Sequence, residues 1–129
     1  MSEGAAMDTI QIMVIIAGAF FLIFLFGFWL RRSGKPYHVV IFNLHKLIAL
    51  AVLVFLAFTV YRQYQNTALI LMESAAAAIT GLLFVATIIA GGLISIDKPM
   101  PSAIKMIHKL FPFLTVLSAF FALYLLLVK

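Results

Sequence analysis

Four long apolar segments, separated by short polar stretches, make up nearly the whole chain. They run from Ile10 to Leu30, from Tyr37 to Tyr61, from Ala68 to Ile96 and from Ser102 to Val128. An apolar helix of about 20 residues is long enough to cross the hydrocarbon core of a bilayer. The pattern therefore predicts an all-α polytopic membrane protein, with four transmembrane helices packed as a bundle in a single domain over residues 1–129.

Polar residues at the ends of these segments predict where each helix begins and ends. Arg31 and Arg32 close the first segment, and Pro36 is predicted at the first position of the second helix. Ser102 is predicted as the N-cap of the fourth helix. Glu73, near the start of the third segment, is expected to be solvated at the membrane interface.

Composition supports a membrane protein and excludes several kinds of site. Hydrophobic residues make up 66% of the chain and charged residues 10%, with a mean hydropathy of +1.22. A soluble domain has about a quarter charged residues. Because the chain has no cysteine, disulfides, iron–sulfur clusters, thiolate metal sites and covalently attached haem are excluded.

The basic residues predict an orientation rather than a nucleic-acid surface. The net charge is +5, but the positive side chains cluster around two loops, which the positive-inside rule places in the cytoplasm. These residues are Arg31, Arg32 and Lys35 in one group and Lys98, Lys105 and Lys109 in the other; the opposite side has Arg62, Lys129, Glu3, Asp8 and Glu73. We therefore expect an integral protein of the cytoplasmic (inner) membrane with both termini outside.

The two halves of the chain resemble each other at an offset of sixty-three residues. His45-Lys46-Leu47 superimposes on His108-Lys109-Leu110 without a gap. The same offset aligns Lys35-Pro36 with Lys98-Pro99, Phe58 with Phe121 and Tyr61 with Tyr124. A repeated frame of this kind predicts two tandem helical hairpins, over residues 5–61 and 68–124 approximately.

Each predicted repeat contains one histidine inside an apolar helix. His45 and His108 lie about eight residues into the second and fourth helices, roughly 10 Å below the cytoplasmic boundary. Ionisable side chains at such depth are costly and by default functional. Two neutral imidazoles that face each other across a two-fold axis have the geometry of the axial ligands of a six-coordinate haem.

This arrangement resembles the four-helix membrane cytochromes b of respiratory and photosynthetic chains, which place axial histidines on their second and fourth helices. Those proteins carry two histidines on each helix and two haems, whereas this chain has one histidine on each. The resemblance concerns the four-helix plan and two positions. It implies one haem b per chain, with His45 and His108 as the iron ligands.

Residues at helical spacing around the histidines complete the predicted cofactor site. Ala49 and Thr115 supply small side chains along its walls, and Thr115 is able to form a local hydrogen bond. Lys46, Lys105 and Lys109 lie near the cytoplasmic boundary and are predicted to neutralise the haem propionates. The lysines are equally well explained as topology signals alone.

Two further residues of the second and fourth helices lie close in sequence to the histidines. His38 lies seven residues before His45, on the same helical face, but its repeat counterpart is Pro101. We interpret His38 as an interfacial histidine near the propionates or a proton entry. Pro112, four residues after His108, cannot donate to the His108 carbonyl and is predicted to kink the fourth helix there.

The sequence thus predicts a b-type cytochrome that moves single electrons, as a subunit or shuttle rather than a complete enzyme. Its predicted partners are the lipid bilayer and a redox partner, which is either a quinone pool or another redox protein. The sequence also allows a homodimer or a larger complex. The alternative is a cofactor-free assembly subunit or small transporter, in which the histidines hold helices together. A zinc or copper site is less favoured, because no third or fourth ligand lies nearby in the pattern.

Overall fold

A computed structural model describes residues 8–96 and 98–128 of the chain. Within these residues the fold is entirely helical, with no strand. The four helices are α1 (Thr9–Ser33), α2 (Val39–Asn66), α3 (Leu71–Ile94) and α4 (Ser102–Leu127). Each is long and apolar enough to span a membrane. The prediction of an all-α protein with four membrane-spanning helices is therefore confirmed.

Helix α1 begins at a capping box and ends at a glycine. The Asp8 carboxylate accepts a hydrogen bond from the Gln11 N–H, and the Gln11 side chain accepts one from the Asp8 N–H. Gly34 ends the helix with φ of 74°, a conformation that favours glycine, and its N–H donates to the Leu30 carbonyl. Arg31 and Arg32 lie in the last turn, where positive charge stabilises the helix dipole.

Helix α2 differs from the prediction at both ends. It begins at Val39, three residues after Pro36, so the prediction that Pro36 occupies its first position is wrong. It continues past Tyr61 to Asn66. The reason is that a change from apolar to polar residues marks the end of the membrane-buried part of a helix, and polar side chains such as Arg and Gln remain good helix formers.

The starts of α3 and α4 also correct two expectations. Helix α3 begins at Leu71 rather than at Ala68, since residues 67–70 form the connection from α2. At α4 the N-cap position is occupied by Pro101, and Ser102 is already the first helical residue without a capping side chain. The prediction of Ser102 as the N-cap is therefore wrong by one position.

Contacts divide the chain into two compact units, one ending at Leu56 and the other beginning at Ala57. In the first unit, His45 of α2 contacts Ile23 and Gly27 of α1, and Ile16 and Phe20 of α1 are buried. In the second, α3 and α4 pack along most of their length, with Ala119 and Leu126 fully covered. The repeat boundaries and the single-domain assignment stay predictions.

Candidate histidine site

His45 is held against the neighbouring helix of its own hairpin. Its Nδ1 lies 3.0 Å from the backbone carbonyl oxygen of Ile23 on α1. The ring rests on Gly27, one turn further along α1, where an added Cβ would lie 3.0 Å from the ring Cε1. The side chain is half-buried. The glycine therefore provides the space in which this imidazole reaches a main-chain acceptor.

His108 repeats this arrangement in the second hairpin. Its Nδ1 lies 3.0 Å from the carbonyl oxygen of Thr87 on α3. Its ring rests on Gly91, and here an added Cβ would lie only 2.6 Å from Cε1. As with His45, the acceptor is four residues before the glycine, and the ring is half-buried. The same three-part unit of histidine, glycine and carbonyl is thus built twice.

These contacts fix which ring nitrogen carries a proton. A carbonyl oxygen only accepts hydrogen bonds, so Nδ1 must donate in both His45 and His108. In the neutral ring the lone pair then resides on Nε2. Histidines that bind metals in proteins commonly donate their other ring N–H to a backbone carbonyl, which fixes the tautomer and the ring orientation. Both side chains therefore have the tautomer that a metal ligand through Nε2 requires.

The two histidine units do not follow one gapless frame. His45 lies eighteen positions after Gly27, but His108 lies seventeen positions after Gly91. The offset of sixty-three residues pairs Gly27 with Ala90 and so does not align the two glycines. The helices bearing the histidines match at sixty-three residues, whereas their partner helices match at sixty-four. The sequence comparison missed Gly27 and Gly91 for this reason.

The other residues predicted for the cofactor site fall into two groups. Lys46, Lys105 and Lys109 are exposed, and their part in a cofactor site stays a prediction. The Lys46 ammonium lies 4.4 Å from the centroid of the Phe42 ring. Ala49 is half-buried.

Thr115 is the most deeply buried of the predicted site residues, with 2% of its surface exposed. Its hydroxyl donates to the carbonyl of Phe111 at 2.8 Å, as the local hydrogen bond predicted for it requires. Pro112 lies within this turn of α4, which continues as a helix to Leu127. The hydroxyl of Thr115 therefore has its hydrogen-bond partner within the protein and needs no ligand to accept its proton.

His38 has a structural position that the sequence did not indicate. It lies just before α2, it is exposed, and its Nδ1 accepts a hydrogen bond from the Ile41 N–H at 3.4 Å. It therefore acts as a weak cap for the start of α2, because the first N–H groups of a helix have no partner within it.

Glu73 is buried rather than solvated. It has 4% of its surface exposed, and its Oε2 accepts a hydrogen bond from the Ile70 N–H at 3.1 Å. Its place in the third position of α3 lets the carboxylate fold back over the start of the helix and cap it. The expectation of a solvated side chain is wrong: the side chain is buried, and its carboxylate is held at the start of α3 by the hydrogen bond from the Ile70 N–H.

Polar side chains also join α3 to α4 in the middle of the second hairpin. The hydroxyls of Thr80 and Ser118 hydrogen-bond each other across the two helices, and Thr80 also donates to the Ala76 carbonyl. The residues at the corresponding positions of the first repeat are Ile16, at the sixty-four-residue offset between α1 and α3, and Phe55, at the sixty-three-residue offset between α2 and α4. The two hairpins therefore share their histidine units but differ in how their helices are joined.

The described residues include no group of three or more histidine, cysteine, aspartate or glutamate side chains placed to hold a metal ion. Comparisons with protein-family models, with curated proteins and with solved structures found no match to this chain.

Proposed function

We propose that this integral membrane protein is a b-type cytochrome that carries electrons through one haem, with Nε2 of His45 and Nε2 of His108 as the axial ligands. The observation that carries the proposal is the pair of Nδ1 hydrogen bonds to the carbonyls of Ile23 and Thr87. In each neutral ring the lone pair is then on Nε2, the nitrogen that would bind the iron, and each histidine lies in a helix apolar enough to cross a membrane.

When bound, the haem would supply one-electron redox chemistry at the iron. The contribution of the chain is to hold both imidazoles in one tautomer and one orientation, and to keep water from the ligands. The carbonyl acceptors also make the imidazoles more basic, and so better donors to the metal. With one histidine from each hairpin on the iron, the site would favour electron transfer over binding of oxygen.

The exposed lysines near the histidines have a defined part in this proposal. Lys46 follows His45 directly, Lys109 follows His108, and Lys105 is one turn earlier on α4. Their ammonium groups would neutralise the haem propionates and turn that edge of the macrocycle toward the basic loops. By the positive-inside rule these loops face the cytoplasm, with both termini on the outside.

A single haem near one face of the bilayer needs a partner to complete a redox reaction. The proposed partner is a quinone pool or another redox protein, and the chain would act as a subunit or a shuttle. A second copy of the chain would extend the relay in a homodimer.

The test is a reduced-minus-oxidised visible spectrum of the detergent-purified chain, with the haem content measured as the pyridine haemochrome. A sharp low-spin b-type spectrum with about one haem per chain is the expected result. Half a haem per chain would move the ligands to a dimer in which each chain supplies one histidine. Protein without haem from haem-sufficient cells would overturn the proposal.

Three single substitutions then identify the ligands. His45→Ala and His108→Ala should each abolish the low-spin spectrum, because either change leaves the iron with one axial ligand. His38→Ala is the matched control, since His38 caps α2 through the Ile41 N–H and should leave the spectrum unchanged. An unchanged spectrum in His45→Ala would contradict the ligand assignment.

The competing function is a cofactor-free subunit that assembles with other membrane proteins. The hydrogen bonds of His45 and His108 and the Thr80–Ser118 pair favour it, because each joins two neighbouring helices of a hairpin. A subunit of this kind should be colourless when purified. His45→Ala should then lower the stability of the first hairpin, because it removes the hydrogen bond to the Ile23 carbonyl.

A further inference from the structure

A groove of about 570 Å³ lies on the surface of α1 near its C-terminal end. It is lined by Leu25, Phe28, Trp29, Arg32 and Ser33. We propose that this groove binds one anionic phospholipid of the surrounding bilayer, with its phosphate on Arg32. The site is independent of the histidines.

The groove lies on the side of α1 that faces away from α2. Leu25 is two residues before Gly27, which contacts His45, and two residues along a helix correspond to a rotation of about 200°. Phe28 and Trp29 each expose more than half of their surface. Large apolar side chains this exposed, on a membrane-spanning helix, are suited to contact with lipid.

The order of side chains along the groove matches the order of groups in a phospholipid. Leu25 and Phe28 come first, followed by Trp29 and then by Arg32. The distance along the helix from Leu25 to Arg32 is about 10 Å. Acyl chains would cover the two apolar residues, the indole would lie at the ester level, where tryptophan is enriched, and the guanidinium would bind the phosphate with two hydrogen bonds.

The charge of this end of α1 favours an anionic lipid over a zwitterionic one. Arg31 and Lys35 are exposed close to Arg32, and the segment from Gly18 to Lys35 contains no acidic residue. Each basic residue near a membrane surface adds to the attraction for anionic lipids. A zwitterionic lipid also has a phosphate, but its positive headgroup would be repelled by this cluster.

The chain contains a direct reporter of this site, because Trp29 is its only tryptophan. The full-length protein is reconstituted with mixtures that contain either phosphatidylglycerol or phosphatidylcholine with brominated acyl chains, which quench tryptophan on contact. The ratio of quenching by the two lipids at equal mole fraction gives their relative affinity for the groove. We expect phosphatidylglycerol to be favoured by about fivefold.

Arg32→Gln should reduce this preference to near unity, since it removes the guanidinium from the groove. Arg31→Gln is the matched control: it removes the same charge one residue away, outside the groove lining, and should retain most of the preference. Equal quenching by both lipids in the wild-type protein would overturn the proposal. Equal losses in the two variants would also overturn it, since they would show a general charge effect. Quenching by neither lipid would overturn the proposal as well, since it would show that another protein surface, such as a second copy, covers Trp29.

Discussion

Gly91→Ala is the substitution that most directly tests the histidine units. The added methyl carbon would lie 2.6 Å from Cε1 and 3.1 Å from Nδ1 of His108. Non-bonded carbon atoms are at their best separation at about 3.5–4.0 Å, so the ring must retreat by about 1 Å. Because the Thr87 carbonyl lies on the same helix as the added carbon, a ring pushed away from α3 would lengthen the 3.0 Å hydrogen bond from Nδ1 and weaken or break it.

Substitution by alanine is expected to change the free energy of unfolding in opposite directions at Gly91 and at Gly92. Alanine in a helix is favoured over glycine by about 0.8–1.0 kcal/mol. At Gly91 this gain is outweighed by overpacking, at about 1–3 kcal/mol, and by the lost hydrogen bond, at about 0.5–1.5 kcal/mol. Gly92→Ala is the matched control, because an added Cβ there meets nothing within 4 Å. It should leave the protein unchanged or slightly more stable.

Two assays follow this series. Reversible unfolding in mixed detergent should give the stability order Gly92→Ala, wild type, Gly27→Ala and Gly91→Ala, because the added Cβ at Gly27 would lie 3.0 Å from Cε1 of His45 and is the milder clash. If the proposed haem is bound, its affinity should fall by about 10–100-fold in Gly91→Ala, the usual cost of losing the partner of a metal-binding histidine. Gly91→Ala that is as stable as Gly92→Ala would refute the reasoning. Similar losses in both variants would refute it too.

Other contacts give further expected outcomes. Thr80→Val and Ser118→Ala should each destabilise the second hairpin, with a coupling of about 0.6 kcal/mol in a double-mutant cycle; fully additive effects would contradict the cross-helix hydrogen bond. Glu73→Ala should lower stability by about 1 kcal/mol in a chemical unfolding titration, whereas Glu73→Gln should cost less because its amide oxygen still accepts from the Ile70 N–H. Equal losses in the two Glu73 variants would argue against that capping role. His38→Ala should change stability by less than about 1 kcal/mol, since its 3.4 Å contact is long; a larger loss would give His38 a role beyond the cap.

Much of the fold follows from local sequence, but the partners of the site residues do not. The apolar segments predicted four helices, and the errors at Pro36, Tyr61 and Ser102 concern only where these end. Hydropathy reports which residues a bilayer accepts, whereas a helix continues as long as its backbone hydrogen bonds and propensities allow. A prediction based on hydropathy therefore finds the spans and misses their polar extensions.

The candidate site likewise has features that the sequence predicted and features that it did not. The sequence by itself determined that His45 and His108 occupy equivalent places in apolar helices, because this information lies in the residues and their spacing. Only the tertiary structure decided that each ring rests on a glycine and donates to a carbonyl of the preceding helix. It likewise decided that Glu73 is covered. The physical reason is that the rotation and register of two packed helices depend on the sum of many contacts between distant residues. One residue fewer between Gly91 and His108 than between Gly27 and His45 was enough to hide the repeated unit from a gapless comparison.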